Sequence, residues 1–193
     1  MKNKVLQFFP YALVGIIIIY LAVKYDAMNR GVVESDVEVK ALEIETLVTH
    51  FSSFDTLEKI NFVADEKVKF AGKSSALIAK DNLYGPTFSY DSISVIKKTK
   101  KVVVSFMVFS TMPVKDATVV ISFSNEKENV IYKNARISEN FKINDWNKVL
   151  IEFEIDNSIL ANESKIEFKA YVYNPKNEEV YIDDFKVQLL SLK

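Results

Sequence analysis

The residues best placed to do chemistry lie near the C-terminus. In Glu179-Val180-Tyr181-Ile182-Asp183-Asp184-Phe185-Lys186-Val187-Gln188-Leu189, Val180 and Ile182 share one parity, and Phe185, Val187 and Leu189 share the other. The apolar phase slips by one residue across Asp183-Asp184, as a β-bulge requires. Two adjacent carboxylates at a bulge repel each other unless something positive neutralises them. Lysine, arginine or a calcium ion, which takes carboxylate and carbonyl oxygens, would each serve. Just upstream, Tyr171 and Tyr173 share the polar parity of their stretch with Glu167 and Lys169. If residues 174–179 close a simple hairpin, Tyr173 falls near Tyr181 and Tyr171 near Asp183, gathering three tyrosines and acids on one outward surface.

Most catalytic chemistry is excluded by what the chain lacks. With no cysteine there is no disulfide, thiolate zinc site or cysteine nucleophile, and one histidine, His50, cannot supply paired imidazoles. His50 sits beside no nucleophile elbow and reads as a surface or packing residue. The four glycines never fall at phosphate-loop spacing. Lys and Arg number 25 against 26 Asp and Glu, a net charge of −1, so no global field draws nucleic acid. Lys97-Lys98-Thr99-Lys100-Lys101 reads as a turn and an edge guard. Acids mostly fall on strand faces or in turns, where solvated charge is the default, and the expectation is a non-enzyme.

These residues must be positioned by strands. Ala117–Ser124, Lys148–Ile155 and Lys165–Val172 alternate apolar and polar as half-buried antiparallel strands do, and Lys101–Ser110 reads as a central one. Turn signals separate them at Tyr84-Gly85-Pro86, at residues 112–116, 124–129 and 174–179. Eight or nine such strands predict an all-β antiparallel sandwich, a jelly roll, over residues 50–193. Ahead of it, Val5–Val23 is nineteen residues without a charge. As a helix at about 1.5 Å per residue it matches a hydrocarbon core of ~30 Å. The alternative is a cleaved signal peptide, but a small-x-small cleavage site is missing, which favours an uncleaved anchor in residues 1–23. Positive charges flank the span almost evenly; the lean is to a single-pass membrane protein with its body outside the cytoplasm. Residues 24–49 form the spacer. Ser35-Asp36-Val37-Glu38 is a capping-box pattern that favours a short helix, while alternation at Val37/Val39 and Leu42/Ile44 keeps a first strand open.

The order of several short motifs resembles the jelly-roll carbohydrate-binding modules, the cellulose- and xylan-binding group with a galactose-binding-like fold. They are Ser53-Phe54-Asp55, Phe70-Ala71-Gly72-Lys73-Ser74-Ser75, Asp145-Trp146-Asn147-Lys148-Val149, and Tyr171-Val172-Tyr173-Asn174-Pro175 followed by Tyr181-Ile182-Asp183-Asp184-Phe185. The resemblance implies a structural calcium between the first and last strands, at Asp55 with Asp183 or Asp184, although this chain has Asp where the family more often has Glu. It also implies a glycan as partner, stacked on exposed rings, with Tyr171, Tyr173 and Tyr181 as the platform. The plainer alternative is ordinary tyrosine pairing on a sheet. Trp146 is expected to pack in the core or at an edge, and Tyr84, Phe88 and Tyr90 to form a packed loop. The expected function is a membrane-anchored, non-catalytic glycan-binding module. Its rival is a structural or scaffolding ectodomain that contacts another envelope protein without binding sugar.

Overall fold

A computed structural model describes residues 43–55, 63–79, 81–137, 141–176 and 179–192. The chain divides into Met1–Ala41 and Leu42–Lys193. The anchor expected at 5–23 and most of the spacer lie outside the described residues, among which no helix is long and apolar enough to cross a membrane.

Among the described residues the strands are β1 (Ile44–Ser52), β2 (Val63–Asp65), β3 (Ser75–Ile78), β4 (Tyr84–Tyr90), β5 (Lys101–Phe109), β6 (Thr118–Ser124), β7 (Asn129–Arg136), β8 (Asn147–Glu154), β9 (Glu167–Tyr173) and β10 (Val180–Leu192). One helical turn, α1 (Ile93–Ile96), precedes β5, and a 3-10 turn, Asn157–Leu160, follows β8. All pairings are antiparallel. One sheet runs β2-β3-β10-β5-β8 with β1 also against β10; the other runs β4-β9-β6-β7. β10 therefore has β5 along one side, with β1 and β3 end to end along the other.

The alternating patterns fold as their periodicity dictates. Ala117, Val119, Ile121 and Phe123 are buried, as are Val149, Phe153 and Ile155. β5 is flanked on both sides and places Val102, Val104, Phe106 and Val108 in the core. On the inner faces rings meet between neighbouring strands, Phe123 on Phe168 at 4.9 Å in one sheet and Phe106 on Phe185 at 6.1 Å in the other. The slip in β10 is a bulge: pairing with β5 shifts between Asp183 and Lys186, and Asp184 takes φ 50°. Val180, Ile182, Phe185, Val187 and Leu189 consequently all reach the core.

Two expectations are corrected. β1 begins at Ile44, inside the segment read as a spacer, because pairing with β10 from Ile44↔Leu192 to Ser52↔Phe185 satisfies its backbone. The strand alternative holds there, and the sandwich starts ahead of His50. Lys101 is no edge guard: it lies in a strand paired on both sides and bridges Glu152 and Glu154 at 3.0 Å.

Candidate functional site

The outer face of the four-stranded sheet carries the exposed tyrosines Tyr84 and Tyr132. Register across it sets up three rows: Tyr84–Tyr173–Thr118–Arg136, Thr87–Tyr171–Val120–Asn134, and Ser89–Lys169–Ser122–Tyr132. A shift between Tyr84 and Thr87 brings both onto this face. The Tyr84 ring lies 5.1 Å from Tyr173 and 5.8 Å from Tyr171, tilted against each. Tyr84 and Tyr132 are about half exposed, at 54% and 52%. Burial, and then the neighbouring Tyr132, pushes the Tyr171 phenol above its usual range, so it stays a neutral hydrogen-bonding ring. One depression of about 530 Å³ is lined by Tyr84, Thr87, Ser89, Lys169 and Tyr171. A second of about 560 Å³ is lined by Thr118, Tyr132, Asn134, Arg136, Tyr173 and Lys176.

Tyr181 does not belong to this surface. The 174–179 connection crosses between sheets instead of closing a hairpin, because β9 pairs with β4 and β6 while β10 pairs with β1, β3 and β5. Tyr181 is 8% exposed, its ring 6.1 Å from Phe109, and its hydroxyl donates to Glu179 Oε2 at 3.2 Å. Burial, aided by the Glu179 carboxylate, pushes its phenol up to about 12. Tyr84, expected in a packed loop, instead begins β4 and stands exposed on this surface; Tyr132 and Arg136 escaped the sequence reading. Their strand parity was available; which strands become neighbours was not.

Asp55 and Asp183 converge on the loop between β2 and β3. Asp183, fully buried, accepts from the backbone N–H of Phe70 at 2.9 Å and Ala71 at 3.2 Å on Oδ2, and from Asp184 at 2.8 Å on Oδ1. Asp55 accepts from the Lys73 N–H. Ser74 Oγ donates to the Phe54 carbonyl at 2.5 Å, fastening the Asp55 segment to the same loop. Gly72, at φ +63°, lies so close that a Cβ would collide with the Asp55 carboxylate. The two acids titrate in opposite senses: the Lys73 N–H holds Asp55 below its ordinary value, and burial raises Asp183. Calcium asks for about six to eight oxygens. Asp55 and Asp183 are donors of the right kind; both accept from backbone N–H groups, and Asp55 also bonds the Ser53 side chain. Among the described residues no three His, Cys, Asp or Glu side chains gather. Of the two alternatives for the second carboxylate, Asp183 meets the same loop as Asp55, while Asp184 lines a depression on the outer face of the six-stranded sheet.

That depression, about 440 Å³, is lined by Phe51, Phe70, Met107, Lys148, Asp184 and Lys186. Trp146 packs against Phe70 at 5.7 Å and Phe109 at 5.6 Å, a packing role beside the start of β8. His50 stacks on Phe88 at 4.6 Å and 13°, and burial lowers its imidazole below the ordinary value of 6.5.

No protein-family model matches the chain, nor does any curated protein sequence. Its fold is that of jelly-roll carbohydrate-binding modules. The second family-22 xylan-binding domain of Xyn10C from Paenibacillus barcinonensis superposes with a TM-score of 0.50 over 74% of this chain and 98% of that one, at 10% identity. The first family-22 domain of the same protein gives 0.46 over 77% and 97%, at 15% identity. A family-16 carbohydrate-binding module gives 0.42 over 67% and 86%, at 14%. At 10% identity the likeness at a TM-score of 0.50 is one of fold alone.

Proposed function

We propose that the protein is a membrane-anchored, non-catalytic carbohydrate-binding module that lays a glycan across the outer face of its four-stranded sheet. The observation that carries this is the group Tyr84, Tyr171 and Tyr173, brought side by side from two strands with Thr87, Ser89, Asn134 and Lys169 around them. A pyranose ring offers C–H faces to aromatic rings and hydroxyls to the polar side chains. Tyrosine meets both needs at small conformational cost.

The acids nearby are poor catalysts. Glu167 is paired with Lys169 at 2.9 Å and Glu126 with Lys165 at 2.8 Å, and the Lys165 bond holds Glu126 below its ordinary value. A glycosidase needs one carboxyl kept protonated, and an ion-paired surface carboxylate is the opposite. By the same reading, residues 5–23 anchor the chain and hold the module outside the cytoplasm, and Asp55 with Asp183 holds a structural calcium.

The test is a glycan array probed with the full chain in detergent. Tyr84→Ala, Tyr171→Ala and Tyr173→Ala should each weaken binding by roughly 1–2 kcal/mol, about five- to thirtyfold, with melting unchanged. Tyr181→Ala should destabilise the fold and leave the specificity pattern intact. An array on which the parent chain binds nothing would turn the reading toward a scaffolding ectodomain. One observation favours that alternative: Phe51 at 56%, Phe70 at 47% and Leu150 at 60% exposure make an apolar surface on the six-stranded sheet.

A further inference from the structure

Resting on the glycan-binding reading, we infer that the ligand is acidic, a polysaccharide bearing uronate carboxylates, and that Arg136 receives the carboxylate. The two depressions differ in charge. In the one beside β4 the cation Lys169 is matched by Glu167 at 2.9 Å, so its polar groups are neutral overall. The one beside β7 holds two cations, Arg136 and Lys176, against a single acid, Asp116. That acid is taken by Lys176, at 3.6 Å. Among the described residues Arg136 makes no ion pair, and it is exposed at the end of the row Tyr84–Tyr173–Thr118–Arg136.

This combination selects a ligand class. A neutral sugar chain offers a guanidinium only hydroxyl acceptors, which carry no charge to meet its own. A uronic acid carries a planar carboxylate on the same ring that stacks, and a guanidinium fork meets a carboxylate with two parallel hydrogen bonds. Tyr173 and Arg136 line one depression, so a single sugar unit is offered a ring for its face and a cation for its acid. From β4 to β7 the row covers three interstrand spacings, about 14 Å, so neutral units can occupy the Tyr84 side while the acidic unit sits at β7. Asn134 and Tyr132 supply hydroxyl partners beside it.

The experiment measures binding of the full chain in detergent to polygalacturonate, to the same polymer with its carboxyls reduced to alcohols, and to dextran sulfate. A charge-assisted pair predicts at least tenfold tighter binding to the polyuronide than to its reduced form, a gap narrowing as salt is raised. Arg136→Gln should abolish the gap, the loss falling at least tenfold more on the polyuronide than on the reduced polymer, and Lys176→Gln should shrink it. Tyr173→Ala should weaken binding to both. Equal affinity for the acidic and reduced polymers would overturn this inference and leave the glycan-binding reading standing. Dextran sulfate binding as tightly as the polyuronide would overturn it in favour of unspecific anion attraction. No binding to any of the three, on a chain that also binds nothing on the array, would remove both readings.

Discussion

His50 shows how little a residue type reveals before its neighbours are known. As a lone histidine it invites a catalytic reading; in the fold it is a flat ring on Phe88, with burial holding its imidazole below 6.5. The unfolded chain therefore takes up the proton first as pH falls. Stability from this group is full above about pH 6.5 and is lost as pH drops below it. His50→Phe keeps the stack and removes the titration. Its melting temperature should be flatter between pH 7 and 5 than the parent's, with glycan affinity unchanged; a parallel pH profile would show that another group controls acid sensitivity. Tyr181 makes the same point in reverse. Its spacing matches that of a surface tyrosine, and its position in β10 seals it against Phe109 and Glu179.

At the scale of elements, the β2–β3 loop is clasped by a carboxylate from the end of β1 and another from the bulge in β10. Four backbone N–H groups, from Phe70, Ala71, Lys73 and Asp184, face the two acids. Because burial raises Asp183, its ionisation costs stability: that contribution is present at acid pH and is lost as pH rises through the raised value. A bound cation would favour the ionised carboxylate and offset this loss. The full chain in detergent should thus melt higher with millimolar calcium than with chelator, by several degrees at about 3 kcal/mol of linkage when calcium stands at 100 times its Kd. The difference should vanish in Asp55→Asn. Identical transitions in calcium and chelator would assign the clasp to the backbone N–H groups alone.

For the whole molecule, the two faces of the sandwich are unlike, tyrosines with paired charges on one and phenylalanines around Trp146 on the other. A tether at residues 5–23 would confine such a module to a surface, where many weak glycan contacts add through effective concentration. Carbonate extraction of cells expressing the chain should leave it in the membrane pellet with Met1 still at or near its start. A soluble species beginning near residue 25–30 would instead mark residues 5–23 as a cleaved signal.

The sequence by itself determined the class of fold, the strands with strict alternation and the bulge at Asp183-Asp184. Side-chain parity along a strand is local and written directly in residue order. It also marked Asp55, Asp183, Tyr171 and Tyr173 as residues worth following. Only the tertiary structure decided which strands lie side by side. Sheet neighbours come from packing two apolar faces into one core, and the 174–179 connection reads as a turn whether it closes a hairpin or crosses between sheets. That choice placed Tyr84 and Arg136 with Tyr173, and it sent Tyr181 to the opposite sheet.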